Sequence, residues 1–221
     1  MMSLAGSYNE YYETPNYFRY HEWIYRPYIS SLLSVAGLHS GSSVLDVGCG
    51  QGFFSYLIRR CGLKVYGLDV SEQGLRKAQH AYSSLGIRFV LGDVKRTPFA
   101  HKFDSVFARS LSLYNCEDFA TNCWVTDVLL GLIREKGTLM FLYNTNLNPS
   151  RKKGQTWRYH SVEDVYKHFS HYSRPLIFFV SKLDTLILRR HAFNRIPSTV
   201  NSFMSRKLGL GGDLVCILKK D

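Results

Sequence analysis

Residues 44–52 read Val-Leu-Asp-Val-Gly-Cys-Gly-Gln-Gly and lead directly into Phe53, Phe54, Leu57 and Ile58, an apolar stripe at helical spacing. Glycines at such a strand-to-helix turn admit positive φ and put no Cβ between backbone and ligand. The loop therefore suits a nucleotide-like molecule at the carboxyl end of a first parallel strand. Two further acids follow. Asp69 closes a second apolar run in Gly67-Leu68-Asp69-Val70-Ser71, where a carboxylate can accept both hydroxyls of a ribose. Asp93, in Leu91-Gly92-Asp93-Val94, ends a third. A dinucleotide fingerprint requires glycine at its first, third and sixth positions, but the sixth position from Gly48 is Phe53. That ring argues against NAD.

The elements that must carry these residues alternate short β-rich runs with segments of helical period, the pattern of βαβ units on a parallel sheet and so of a doubly wound α/β domain. Strands are expected at Ser43–Val47, Lys64–Asp69, Ile87–Leu91, Phe103–Ala108 and Thr138–Tyr143. Ser71 sits where a helix N-cap belongs, with Leu75, Ala78 and Tyr82 on one face and Gly86 at the end. Val125, Val128, Leu129, Leu132 and Ile133 form a second helical stripe, with Gly137 as its C-terminal stop. Beyond it, Asn144–Gly154 reads as a loop and Ser161–Phe169 as a short helix capped by Ser161. A strand at Leu176–Ser181, a basic helical stretch broken by Pro197 and a last strand at Asp213–Leu218 follow. No internal repeat or low-complexity linker appears, so one domain over 1–221 is expected.

The run Asp46-x-Gly48-x-Gly50-x-Gly52 resembles the glycine loop of class I S-adenosylmethionine-dependent methyltransferases of the small-molecule type. The likeness covers about residues 40–145 well and the flanks loosely. It implies the Rossmann-like fold of that family, a mostly parallel seven-stranded sheet with helices on both faces, and S-adenosylmethionine as cofactor. On the same basis Asp46, Gly48, Cys49 and Gly50 would lie along the methionine part, Asp69 at the ribose and Asp93 at the adenine amino group, with Val70, Val94 and Arg109 also among the cofactor-binding residues. The acid beside an aromatic at Phe103-Asp104 also follows the family's habit, and the exit Arg109-Ser110-Leu111-Ser112-Leu113-Tyr114 would lie beside the reactive methyl. That exit contains no Asn-Pro-Pro-Tyr or Asp-Pro-Pro-Tyr, which argues against amino-group transfer to adenine, cytosine or glutamine. A Cys-dependent pyrimidine mechanism lacks its Pro-Cys pair.

Nine aromatic residues crowd into residues 8–28, where the average content of 14% would place about three. Residues 1–40 are therefore expected to form an aromatic helical lid, 41–145 the cofactor-binding core, and 146–221 the substrate-side elements and last strands. Electron-rich ring faces suit a sulfonium cation, while packing of a terminal helix on the sheet is the plainer explanation of the same residues. Methyl transfer from a sulfonium needs mainly proximity and in-line orientation. Where the acceptor arrives protonated, His21, Tyr114 and His160 are the candidate bases.

Composition bounds the rest. A chain of 221 residues, 45% hydrophobic and 20% charged, has ample material for a core, which excludes disorder and small disulfide-stapled scaffolds. Its five cysteines are odd in number and form no CxxC pair, so buried free thiols are expected and no metal site. No apolar run is long enough to span a membrane and no secretory h-region opens the chain, so a cytoplasmic location is expected. The net charge of +11 divides into +2 over residues 1–150 and +9 over 151–221, with Arg151, Lys152, Lys153, Arg189, Arg190, Arg195, Arg206 and Lys207 prominent. A solvated face is the plain reading of that cluster. A small-molecule acceptor methylated at oxygen or nitrogen is the leading expectation. Its rivals are RNA or an anionic lipid-linked substrate at the basic third, and a non-catalytic cofactor-binding partner protein.

Overall fold

Strands buried on both faces carry near-continuous apolar runs, and the computed structural model builds its sheet from such runs. It describes residues 4–14, 19–116, 122–145, 160–181, 207 and 211–220. The strands are β1 (Ser43–Val47), β2 (Lys64–Asp69), β3 (Arg88–Leu91), β4 (Phe103–Arg109), β5 (Ile133–Thr145), β6 (Leu176–Ser181) and β7 (Gly212–Lys219). They form one seven-stranded sheet in the order β3-β2-β1-β4-β5-β7-β6. The first five pair in parallel, and β7 runs antiparallel to both β5 and β6. The chain winds outward from β1 to β3 and then returns to β4 on the other side of β1. The switch point between β1 and β4 is where such sheets open a cleft at their carboxyl edge.

Helices cover both faces. α2 (Glu22–Val35) and α3 (Phe53–Arg60) bury Tyr28, Ile29, Leu32, Leu33, Phe54, Leu57 and Ile58 against Val44, Phe107, Met140 and Leu142. On the other face α5 (Ser112–Cys116), α6 (Cys123–Gly131) and α7 (Val162–Phe169) bury Tyr114, Val125, Leu129, Val165 and Phe169 against Leu45, Val47, Val106 and Phe141. Consecutive strand residues thus serve opposite cores. α4 (Glu72–Tyr82) follows β2, and α1 (Leu4–Glu13) packs against it.

Several expected boundaries hold to within a residue, and both proposed caps form. Ser71 accepts from the Gly74 N–H, and Ser161 makes a reciprocal capping box with Asp164. Others need correction. Gly137 is not a helix stop: α6 ends at Gly131, and Ile133 already pairs with Phe103 as the first residue of β5. The register of β4 and β5 slips between Phe103 and Ser105, Lys136 takes φ 63°, and a Cβ on Gly137 would lie 2.7 Å from the Asp104 carbonyl oxygen. Gly137 serves a kink inside a strand. Asn144 and Thr145 belong to β5, where they pair with Asp213 and Gly212, and not to a loop. β3 begins at Arg88, β4 extends to Arg109, and the aromatic amino terminus forms two helices. The stretch around Pro197 and its basic residues other than Lys207, the remainder of the expected loop after Thr145, and Tyr17 and Phe18 lie outside the described residues.

Candidate functional site

The glycine loop turns tightly because three alternate residues in it take a left-handed backbone. Gly48, Gly50 and Gly52 all have positive φ, at 74°, 51° and 77°. The N–H groups of Gly48 and Cys49 both donate to the Leu68 carbonyl of β2, and Gly52 N–H donates to Cys49. This folds the loop back over the end of β2 and aims it at Asp69. The Asp69 carboxylate bridges two walls: one oxygen accepts from Gly50 N–H at 2.7 Å and the other from Ser71 N–H at 2.7 Å. Burial raises its pKa, and those backbone donors, with Val70 among them, oppose the rise.

Asp46 lies beneath the loop. Its carboxylate accepts from the Ser55 hydroxyl of α3 at 2.5 Å, so it ties strand to helix. Burial pushes its pKa up to about 7, with Asp69 nearby adding to the rise. Cys49 is buried, and a Cβ on Gly67 would sit 2.8 Å from its sulfur, so glycine at 67 makes room for it. Asp93 completes a row of acids at the carboxyl ends of β1, β2 and β3, placed there by the parallel register of β2 and β3 and by the Gly92 N–H donating to the Asp69 carbonyl. Its own side chain caps a short 3-10 turn by accepting from Lys95 N–H, and Val94 is buried in the apolar core.

The residues expected beside the methyl and the candidate bases separate. Arg109, at the end of β4, makes a bidentate pair with Asp213 of β7 at 3.0 and 3.2 Å, and Tyr28 donates to the same carboxylate. Its guanidinium lies 4.7 Å above the Phe54 ring and about 6 Å from Tyr20 and Tyr25. Burial alone would lower its pKa, but Asp213 and the surrounding phenols reverse the direction. Arg109 thus joins β4, β7 and the aromatic helices. Ser110 follows with φ 53° and a buried hydroxyl that has no hydrogen-bond partner among the described residues.

Tyr114 is buried, its hydroxyl 2.6 Å from Thr126 Oγ1, which in turn meets His168 Nε2. His160 is buried too, with Nε2 against the Tyr114 carbonyl at 2.7 Å and its N–H donating to the Tyr143 hydroxyl. These two candidate bases belong to an internal network that packs α5, α6 and α7. His21 differs: it is exposed, at the start of α2, beside Trp23.

Tyr12, one of the nine aromatics of the expected lid, and three residues missed in the sequence, Asn9, Gly74 and Lys77, complete the cleft. Tyr12 of α1 is buried against Gly50 and Gly74, Asn9 accepts from the Ser71 hydroxyl at 2.7 Å and from Gln73 N–H, and the Lys77 ammonium donates to the Tyr12 carbonyl. An isolated glycine inside the helical pattern of α4 was the available signal for Gly74. No local feature marks Asn9 or Lys77. Among the described residues no cluster of His, Cys, Asp and Glu could hold a metal, and no helix is long and apolar enough to cross a membrane.

Residues 44–126 match a family model described as a methyltransferase domain. Over 86 residues the chain is 34% identical to a malonyl-acyl-carrier-protein O-methyltransferase of Pectobacterium atrosepticum, a match covering 39% of this chain and 33% of that protein. The chain thus spans about a third of the length of the first curated relatives it matches. Among solved structures it superposes on phosphoethanolamine N-methyltransferase 2 of Haemonchus contortus, in complex with phosphomonomethylethanolamine and S-adenosylhomocysteine, with TM-score 0.73. That match has 13% identity and covers 100% of this chain and 60% of that one. An S-adenosylmethionine-dependent methyltransferase of Geobacter sulfurreducens in complex with S-adenosylhomocysteine gives 0.64 at 14% identity, covering 100% of both chains. Such identities show a shared fold.

Proposed function

We propose that this chain, which belongs to the class I S-adenosylmethionine-dependent methyltransferase family, transfers a methyl group from S-adenosylmethionine to an oxygen or nitrogen of a small molecule. The observation that carries the cofactor half is the Asp69 carboxylate, held by backbone N–H groups between the glycine loop and the cap of α4. The residues present fit that cofactor. Burial raises the pKa of both Asp46 and Asp69, and hydrogen-bond donors, not a lysine or arginine, oppose the rise. Such a cleft favours a ligand that brings positive charge and hydroxyl donors.

When bound, S-adenosylmethionine supplies a methyl group on a good leaving group. What the chain contributes is holding and drying. Asp69 would take the ribose hydroxyls, the glycine loop would lie along the methionine part, and Asp93 would mark the adenine end. The aromatic residues of α1 and α2 would exclude water from the carboxyl edge of β1 and β4. His21 is the exposed candidate to accept a proton from an acceptor that arrives protonated. The matching family model covers residues 44–126, so the choice of a small-molecule acceptor, the single-domain organisation over 1–221 and a cytoplasmic location remain parts of the proposal.

Thermal denaturation with S-adenosylhomocysteine tests the reading. At 100 times Kd, a ligand that binds only the folded chain stabilises it by about 2.7 kcal/mol, several degrees for a chain of this size. NAD at matched concentration should leave the melting temperature unchanged. A shift with NAD and none with S-adenosylhomocysteine would end the assignment.

A further inference from the structure

Gly74 occupies a place in α4 where alanine would be the better helix former, and its backbone is ordinary helix, so its own conformation does not call for glycine. Its neighbours explain it. A Cβ there would lie 2.9 Å from Tyr12 Cε2, 3.1 Å from Tyr12 Cδ2 and 3.2 Å from the carbonyl carbon of Gly50. A Cβ on Gly50 would collide with the Tyr12 hydroxyl and stand 2.8 Å from Tyr12 Cζ. The ring of Tyr12 therefore fills a slot between two glycines that lie 24 positions apart in the chain.

That slot separates the same two walls that Asp69 bridges. Gly50 donates its N–H to one Asp69 oxygen, and the other accepts from Ser71, whose hydroxyl caps α4 through the Gly74 N–H. Asn9 holds α1 to that cap, and Lys77, one turn further along α4, takes the Tyr12 carbonyl. Tyr12, Asn9 and Lys77 thus seat α1 at the position that sets the distance between glycine loop and helix.

We infer that Tyr12 is a positioning residue for the cofactor: a wedge, carried by α1, that sets the spacing of Gly50 and α4 and through it the orientation of the Asp69 carboxylate. The inference deepens the proposed cofactor site and rests on it. The wedge acts through the shape of its ring, and Gly74 is its keyhole, so filling the keyhole and removing the wedge are the same perturbation made from opposite sides.

The experiment is a double-mutant cycle of Tyr12→Ala and Gly74→Ala with Tyr12→Phe as control. S-adenosylhomocysteine affinity is read by calorimetry, α1 docking by limited proteolysis, and stability by melting temperature. Each single alanine variant should weaken binding about tenfold and expose α1 to cleavage, because a slot that is emptied by Tyr12→Ala or overfilled by Gly74→Ala misplaces Asp69. The double variant should bind no worse than Tyr12→Ala. In that background Gly74→Ala should also raise the melting temperature, since the Tyr12 ring no longer opposes helix propensity. Tyr12→Phe keeps the ring and should lose much less affinity than Tyr12→Ala. Additive losses, or parent-like affinity in Gly74→Ala, would overturn the wedge. If the parent itself fails to bind S-adenosylhomocysteine, the cofactor reading falls. The wedge is then decided by proteolysis and melting alone, where coupling between the two sites supports it and independence refutes it.

Discussion

Asp46 shows what one buried carboxyl does to the pH response of the molecule. Its ordinary pKa is 3.8, and burial under the glycine loop pushes it up to about 7. A raised value means the folded chain holds this proton more tightly than the unfolded one. The resulting stability is fully present below 3.8 and is lost as pH rises through about 7. His168 runs the other way: burial lowers it from 6.5 to about 4, so its contribution is lost as pH falls through that window. Melting temperatures of the parent minus those of Asp46→Asn should therefore decline between about pH 4 and pH 7 and level off above, and a flat difference would refute the assignment. Asp69 matters to binding. Asp69→Ala should weaken S-adenosylhomocysteine by about 1–3 kcal/mol by calorimetry, because hydroxyls lose a charged acceptor and the loop loses the anchor of Gly50 N–H.

At the scale of elements, α1 is the segment whose removal separates fold from function. The sheet starts at Ser43, and α2 supplies the amino-terminal share of the core through Tyr28, Ile29, Leu32 and Leu33. Deleting residues 1–20 should leave a folded chain whose melting temperature falls by several degrees, because buried Tyr12, the packing of Tyr20 on Phe53 and Phe54, and the Asn9 contacts to the start of α4 are lost together. Turnover should fall far more steeply than stability, since the cleft loses Tyr12 and its cover. Full activity in the truncated chain would remove the lid from the account. Tyr20 and Tyr25 bear out the plainer packing explanation of the aromatic terminus: Tyr20 stacks on Phe53 at 5.2 Å, and both tyrosines meet Phe54 edge-on.

For the molecule as a whole, the Arg109–Asp213 pair fastens the parallel and antiparallel parts of the sheet and holds α2 through Tyr28. Both side chains are about nine-tenths buried, so removing one partner leaves the other charge in a dry site. Asp213→Ala should cost about 3–5 kcal/mol in urea unfolding, whereas Arg109→Met combined with Asp213→Leu should cost much less, because the double change removes both charges. Equal costs for the two would show that packing, and not charge, dominates the link.

The parallel strands and the glycine loop were legible in the chain because their signals are local. A strand buried on both faces is a short apolar run whoever its neighbour is, and Asp46-x-Gly48-x-Gly50-x-Gly52 must turn where it does because of its own backbone. The caps at Ser71 and Ser161 were legible for the same reason. Tertiary structure alone decided the rest. Gly137 looked like a helix stop because spacing cannot distinguish a terminating glycine from one that makes room for the Asp104 carbonyl of a neighbouring strand. Tyr114 and His160 carry groups able to act as bases, yet their chemistry is absorbed by partners on other elements. Arg109 found Asp213 across 104 positions, and Asn9 found Ser71 across 62. Periodicity records that a face will be buried. Which surface buries it is settled only when distant segments compete for the same space, and here that competition set the walls of the cleft.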